Sequence, residues 1–550
     1  MNTALKWIII LLVTASGLVL LLKWTGRISE PLTEIGWTTA LERTILDENI
    51  YICEESWLKM NPYGLWEMYL KGGDLELGVK NGILACELIH WQEVVFIAGI
   101  REMVPSDVYL RFLKQVVLWM NRNLDEHIPI EFQREIYGVS RYASDTFAFI
   151  GPAYQRILNY HAAHDIGHSL QNMNLVACTA IGVTGSRSED GTLLVGRNFD
   201  FSMGDDFARN KIIAFYEPEK GYRFASVTWG GMIGVVSGMN DQGLVVTLNA
   251  AKSGIPGSAK TPTSILARQI LQYASNIEEA FEIAGSAETF VAESFLVSSA
   301  KDGKTVVIEK SPDSQSLYDP LGEVLILTNH FQSEFFENSR LNLKNKAEGS
   351  SVYRWQRSLE LVASEAQHDE ASFARILRDQ DGMGGKPIGM GNEKAVNQLI
   401  AHHSVIFKPG ELKMWISTHP YQLGRYLCYD LDVVFSDTTG VTDRIFIEGE
   451  EIGPDPFLRS AQYQDFIRYK KETERLRDLI GSRQVILQAD DQIADYLEMN
   501  PDYYYPYYIA GEIYRLGGNL SRARELYERS LSLEIPRRVD REQVEEALKK

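Results

Sequence analysis

The stretch Cys178-Thr179-Ala180-Ile181-Gly182-Val183, the turn Glu189-Asp190-Gly191 and the return Leu193-Leu194-Val195-Gly196-Arg197-Asn198-Phe199-Asp200 decide how this chain is read. Residues 177–183 are small and β-prone, and Asp190-Gly191 signals a hairpin turn. In an antiparallel hairpin the end of the second strand lies opposite the start of the first. Arg197 and Asp200 therefore return close to Cys178. A guanidinium beside a thiol lowers its pKa from about 8.5 and favours the reactive thiolate. A carboxylate there can orient an amine or a water. Taken alone, the same residues also fit a surface ion pair next to a small buried cysteine.

Later segments favour the nucleophile. Gly238-Met239-Asn240-Asp241-Gln242-Gly243-Leu244 is a turn that feeds the strand Val245-Val246-Thr247-Leu248-Asn249. Phe295-Leu296-Val297-Ser298-Ser299 and Thr305-Val306-Val307-Ile308-Glu309 flank a turn at Asp302-Gly303. Val324-Leu325-Ile326-Leu327 ends in Thr328-Asn329-His330-Phe331, and Ser351-Val352-Tyr353-Arg354 opens a helix. This ordered set, from about residue 178 to about 430, resembles the N-terminal-nucleophile (Ntn) hydrolases of the penicillin acyltransferase and choloylglycine hydrolase superfamily.

The resemblance implies a four-layer α+β sandwich, two antiparallel sheets between helices, and scission between Ala177 and Cys178. A free α-amine has a pKa near 7.7–8.0. It can take the thiol proton at neutral pH, so base and nucleophile share one residue. The uncut chain is then a zymogen. By the same resemblance Cys178 is the nucleophile, Arg197 the cation near the thiolate and Asp200 the carboxylate that holds the α-amine. Asn249 and Asn329 are the oxyanion donors, and Arg354 supports the cluster, with Ser351 three residues before it. Ala177 stands where acyltransferase precursors often carry glycine. No cofactor and no metal are implied. The expected reaction is cleavage of a linear amide in a small N-acyl substrate through an acyl-cysteine. An amine in place of water would make the same site an acyltransferase. A lipid-acting enzyme, similar to the phospholipase B-like or ceramidase-like Ntn enzymes, and a membrane-tethered interaction protein with an inactive hydrolase domain are the alternatives.

The remaining sequence divides the chain into an anchor (1–25), a pro-part (26–177), a catalytic domain (178–448) and a helical region (449–550). Residues 7–22 are apolar and uncharged between Lys6 and Lys23, and no small-x-small exit follows. They read as an uncleaved membrane helix with the catalytic part outside the cytoplasm. Lys6 against Lys23 and Arg27 leaves the charge rule for orientation undecided. Within the pro-part, Tyr69-Leu70-Lys71-Gly72-Gly73 and Leu75-Glu76-Leu77-Gly78 resemble the opening of acyltransferase precursors. By analogy the cleaved pro-part stays bound as a subunit. A helix is expected over 105–124, with others over 262–273 and 277–284.

The formal net charge of −19 excludes a phosphate-binding surface of the usual basic kind and hence a nucleic-acid partner. The four cysteines, Cys53, Cys86, Cys178 and Cys428, are too scattered for a disulfide framework. His164 and His168 have metal-ligand spacing, with His161 one turn before, but lack the adjacent Glu of a metalloprotease helix. Asp381-Gly382-Met383-Gly384-Gly385-Lys386-Pro387 fails as a phosphate loop because proline follows the lysine. Tyr507, Gly511, Tyr514, Ala523, Tyr527 and Pro536 fall at spacings resembling one tetratricopeptide repeat (TPR). A single repeat cannot bury its own face. These helices therefore either pack on the catalytic domain or take a peptide partner.

Overall fold

The computed structural model describes residues 26, 28–33, 41–104, 106–162, 165, 176–252, 254, 259–436, 440–482 and 490–550. The apolar run 7–22, Pro105, His164 and His168 lie outside the described residues.

Two sheets face each other. The smaller has six strands in the order Val324–Leu327, Val176–Val183, Leu194–Phe201, Ala401–Lys408, Lys413–Ser417 and Tyr426–Asp430, all antiparallel. The larger has eleven, running from Thr44–Asp47 at one edge to Gln315–Tyr318 at the other. Four of its strands come from residues before Cys178, and the junction is the parallel pair Trp66–Gly72 with Ile212–Pro218. The expectation of two purely antiparallel sheets is corrected at this pair. It is also where residues 26–177 enter the catalytic sheet.

Three apolar layers separate the elements. Ala180, Val195, Phe215, Val245, Leu296, Val405 and Ile416 fill the space between the sheets. Leu84, Leu88, Val246, Leu266 and Ile270 pack the helices Asp74–Met103 and Thr263–Tyr273 on the outer face of the large sheet. Ile181, Leu194, Val362, Phe373 and Ile406 pack Ser351–Ser364 and Glu370–Leu377 on the outer face of the small sheet. The order is helix, sheet, sheet, helix. Alternating residues of a strand point to opposite faces, so Ala180 faces one core and Ile181 the other.

Local signals place the helix ends. Asn276 caps Ile277–Ser286 by accepting from the Glu279 amide at 3.0 Å. Ser106 caps Asp107–Met120, which lies within the expected span 105–124. Asp165 accepts from the backbone N–H and hydroxyl of Thr263 at the start of Thr263–Tyr273, at 3.0 and 2.7 Å.

Among the described residues one helix, Asp74–Met103, is long and apolar enough to cross a membrane. It is internal, and Leu75, Leu77, Val79, Ile83, Leu84 and Leu88 belong to the core on the large sheet. That burial accounts for its apolar character. Its first half meets Ile130–Ser140 backbone to backbone. A Cβ on Gly78 would stand 1.9 Å from the Glu135 carbonyl oxygen, and one on Gly138 would stand 2.6 Å from the Val79 nitrogen. No larger residue fits this crossing.

The described residues between 461 and 549 include five helices. Tyr504–Leu516 and Leu520–Leu531 pack as a hairpin in which the Tyr527 ring fills the space above Gly511. Their apolar faces share a cluster with Leu399, Tyr421 and Leu423. Polar contacts reinforce it: Asn500 and Met390 exchange two hydrogen bonds of 2.9 Å, and Lys394 reaches Glu534 at 2.7 Å.

Candidate active site

The hairpin register places Ala177 opposite Asp200, Cys178 opposite Phe199 and Ala180 opposite Arg197. Cys178, Arg197 and Asp200 are fully buried. Arg197 is held from three sides. Nη1 donates to the Val236 carbonyl at 2.6 Å and to the Ser237 hydroxyl, and Nη2 donates to the Leu248 carbonyl and to Cys178 Sγ, the last at 3.3 Å. Its guanidinium carbon lies 4.7 Å from the centroid of the Phe199 ring. Behind it, Ser237 Oγ lies 2.8 Å from His403 Nε2, and His403 Nδ1 lies 2.9 Å from His402 Nδ1. Burial, with further help from nearby Arg197 and Lys211, holds both histidines far below the usual imidazole range.

The Cys178 peptide is gripped at both ends. Its N–H donates to Asn329 Oδ1 at 3.0 Å. Arg354 Nη1 donates to the Cys178 carbonyl at 2.6 Å and to Thr179 Oγ1 at 2.9 Å, while Nη2 donates to Asn329 Oδ1 at 2.7 Å. Arg357 turns instead to Asp379 at 2.7 Å. Asn329 is fixed in turn: Nδ2 donates to the Ala250 carbonyl at 3.1 Å, and its backbone N–H donates to Ser351 Oγ at 2.8 Å. Asn249 Nδ2 donates to the carbonyls of Leu327 and Thr328 at 3.3 and 3.1 Å. The two asparagines thereby tie the end of Leu244–Ala250 to the end of Val324–Leu327, beside the cysteine.

Asp200 completes the cluster. Oδ2 accepts from Gln398 Nε2 at 3.3 Å, and Oδ1 is buried without a partner among the described residues. Burial raises its pKa to about 7, against the pull of Arg354 and Arg197. The thiol behaves differently from the expectation drawn from Arg197 alone. Burial pushes Cys178 up to about 11, because desolvation outweighs the guanidinium and Asp200 adds to it. With Cys178 inside the chain, burial favours the neutral thiol over the thiolate.

The structure thus brings together all six residues singled out from the sequence. It adds Thr179, Ser237, Gln398 and His403, which hold the arginines and the carboxylate. His402-His403, two histidines inside the apolar strand Ala401–Lys408, were the visible signal for the last of these. Among the described residues no group of three His, Cys, Asp or Glu is placed to hold a metal ion. His161 has both ring nitrogens engaged, Nδ1 on the Ile157 carbonyl at 2.9 Å and Nε2 on the Ile233 N–H at 3.0 Å.

Comparison with known proteins follows this geometry. The family model for acyl-coenzyme A:6-aminopenicillanic acid acyl-transferase matches residues 186–420, a span that holds Arg197, Asp200, Asn249, Asn329 and Arg354 and begins just after Cys178. An uncharacterized protein of Archaeoglobus fulgidus is 24% identical over 270 residues, covering 46% of this chain and 44% of its own length. The chain therefore spans less than half of the curated relative it matches. Similar solved structures include a Caenorhabditis elegans N-acylethanolamine-hydrolyzing acid amidase ortholog, 19% identical, covering 42% of this chain and 93% of that one, with a TM-score of 0.32. A mutant conjugated bile acid hydrolase of Clostridium perfringens is 14% identical, covering 49% and 95%, with a TM-score of 0.33. Over residues 186–420 the chain is therefore similar to the acyl-coenzyme A:6-aminopenicillanic acid acyl-transferase family.

Proposed function

We propose that the chain is a self-cleaving amidohydrolase whose working nucleophile is the thiol of an N-terminal Cys178. The observation that carries this reading is the set of groups converging on one residue. Asn329 takes its N–H, Arg354 takes its carbonyl and Arg197 lies on its sulfur. Across the strand pair, Asp200 keeps a buried oxygen that nothing described in the uncut chain engages. Such an oxygen is costly to bury. A newly freed α-ammonium at Cys178 supplies the missing donor.

The chemistry proceeds in two stages. In the first, Cys178 Sγ adds to the Ala177 carbonyl carbon, the Ala177–Cys178 C–N bond breaks and the nitrogen leaves as an amine. Water then hydrolyses the resulting thioester, leaving a carboxylate on Ala177 and a free thiol and amine on Cys178. In the second, the α-amine takes the thiol proton and the sulfur attacks the substrate carbonyl. Asn329, whose Nδ2 keeps one N–H beyond its bond to the Ala250 carbonyl, donates to the oxyanion; Asn249, whose Nδ2 is committed to the Leu327 and Thr328 carbonyls, has to release one of them to join it, and donors of this kind are worth about a hundred- to a thousand-fold in rate each. The α-ammonium protonates the leaving amine, and water releases the acyl group as an acid. An amine in place of that water gives acyl transfer.

Residues 26–177 remain as a subunit in this proposal. Their parallel strand pairing and the fully buried ion pair of Glu135 with Arg268, at 3.2 Å, support retention. We further infer that residues 7–22 anchor the enzyme to a membrane, with the catalytic part outside the cytoplasm. The C-terminal helices are taken as one TPR-like hairpin that docks on the catalytic domain, supported by their shared cluster with Leu399 and Tyr421.

The test is turnover of fluorogenic N-acyl amides by purified protein, with rapid acid quench and mass analysis of the larger fragment. Acylation of that fragment on Cys178, absent from Cys178→Ala, is expected. Equal turnover by Cys178→Ala would overturn the proposal.

A further inference from the structure

A largely apolar cavity lies beside the strand pair that carries the nucleophile. Phe199, one of its walls, is the residue directly across the strand pair from Cys178. Val236, another wall, gives its carbonyl to Arg197 at 2.6 Å. Nucleophile and cation do not line the cavity themselves, but each meets one of its wall residues. The catalytic side of the cavity is aromatic. Phe199 and Trp229 are parallel to within 7°, and Phe207 meets Trp229 edge-on with centroids 5.3 Å apart.

Asp74–Met103 contributes Ile89, Gln92, Glu93 and Phe96, and thereby one polar end. Gln92 is 5% exposed, and neither Nε2 nor Oε1 has a partner among the described residues. Next to it Glu93 is 2% exposed. Its Oε1 accepts from Arg156 Nε at 2.5 Å and from the Tyr160 hydroxyl at 3.1 Å, while Oε2 has no partner. Buried polar atoms in native proteins are almost always hydrogen-bonded. Three orphaned atoms at one end of an aromatic slot mark a place where a ligand makes the bonds.

Resting on Cys178 as the nucleophile, we propose that this cavity is the acyl pocket and that it selects an aromatic acyl group bearing a hydroxyl at the end remote from the reacting carbonyl. The aromatic side chains that line the cavity, Phe96, Phe207 and Trp229 among them, pack against the ring. The hydroxyl donates to Glu93 Oε2 and accepts from Gln92 Nε2, which matches its one donor and two lone pairs. The pro-part thus supplies the specificity end of the pocket and the catalytic part supplies the chemistry. A site built to hydrogen-bond a hydroxyl discriminates strongly against the analogue that lacks it.

The experiment uses the purified full chain and two readouts. Turnover is compared for the 4-hydroxyphenylacetyl, phenylacetyl and hexanoyl amides of 7-amino-4-methylcoumarin. Binding of free 4-hydroxyphenylacetate, phenylacetate and hexanoate is measured by calorimetry. The hydroxylated compound is expected to lead in both, by at least about tenfold in kcat/KM over phenylacetyl. Gln92→Leu is expected to bring that ratio close to one. Turnover without such a preference, or with hexanoyl leading, overturns the pocket assignment while leaving the nucleophile in place. Selective binding of the hydroxylated acid without any turnover supports the pocket and overturns the hydrolase reading. The wild-type ratio decides the matter even if Gln92→Leu does not fold.

Discussion

Replacing Asp200 by asparagine in a Cys178→Ala chain isolates the charge held beside the scissile peptide, because that background stays uncut. In the folded chain burial raises the Asp200 carboxyl to about 7, whereas an unfolded aspartate titrates near 3.9. Below about pH 3.9 the group is protonated in both states and contributes no difference. Between the two values only the unfolded chain ionises, so stability falls as pH rises, and above about pH 7 the full loss is present. At about 1.4 kcal/mol per pH unit, the gap of roughly three units amounts to about 4 kcal/mol. Asparagine keeps the shape and cannot ionise. With an unfolding entropy of about 2.1 cal/mol/K per residue, the whole chain should gain about 3 °C. Thermal unfolding at pH 4 and at pH 8 is the assay. The two proteins should melt together at pH 4, and the asparagine protein should melt higher at pH 8. A gap that does not change with pH, or a less stable asparagine protein at pH 8, would refute the placement of a desolvated carboxyl there. In a Cys178-containing chain the same substitution should impair scission and turnover, since the α-amine then lacks its counter-charge.

Other consequences are equally direct. Arg354→Lys loses the fork that spans the Cys178 carbonyl, Thr179 and Asn329, so scission followed on gels should slow by roughly a hundredfold through misplacement of Cys178. Arg357→Lys, at an arginine paired with Asp379, should leave that rate within about twofold. Burial lowers His161 and His330 to about 4. Each is therefore neutral when folded, and stability is lost as pH falls from about 6.5 towards 4. His161→Gln should flatten the acid limb of a melting-temperature profile. Gly78→Val puts side-chain atoms where the Glu135 carbonyl already stands 1.9 Å from a Cβ. It should loosen residues 26–177 by 3 kcal/mol or more, seen as loss of the smaller fragment when the larger is affinity-purified.

How far the fold is legible from sequence depends on how local each signal is. The Cys178 hairpin, the hairpin Glu293–Ser299 with Lys304–Lys310 and the Asn276-capped helix lie where their turn and cap residues put them. Asn249 and Asn329 are legible because each ends a strand that a recognisable turn or motif introduces. The parallel pairing of Trp66–Gly72 with Ile212–Pro218 is not, since nothing within either strand names a partner so distant in sequence. Ser237 and Gln398 escape for the same reason: they reach the site from other elements. The thiol shows a second limit. Arg197 is visible as a charge in the sequence, but the desolvation that overrides it exists only once the sheets close.

The central claim is scission of one bond, and intact-mass analysis with N-terminal sequencing of the purified protein beside Cys178→Ala tests it. Apportioning 62.3 kDa by residue number, the wild type should give pieces of about 20 and 42 kDa, the larger beginning Cys-Thr-Ala-Ile, and the alanine protein should remain whole. An active wild-type protein with Cys178 still inside an unbroken chain would contradict the account.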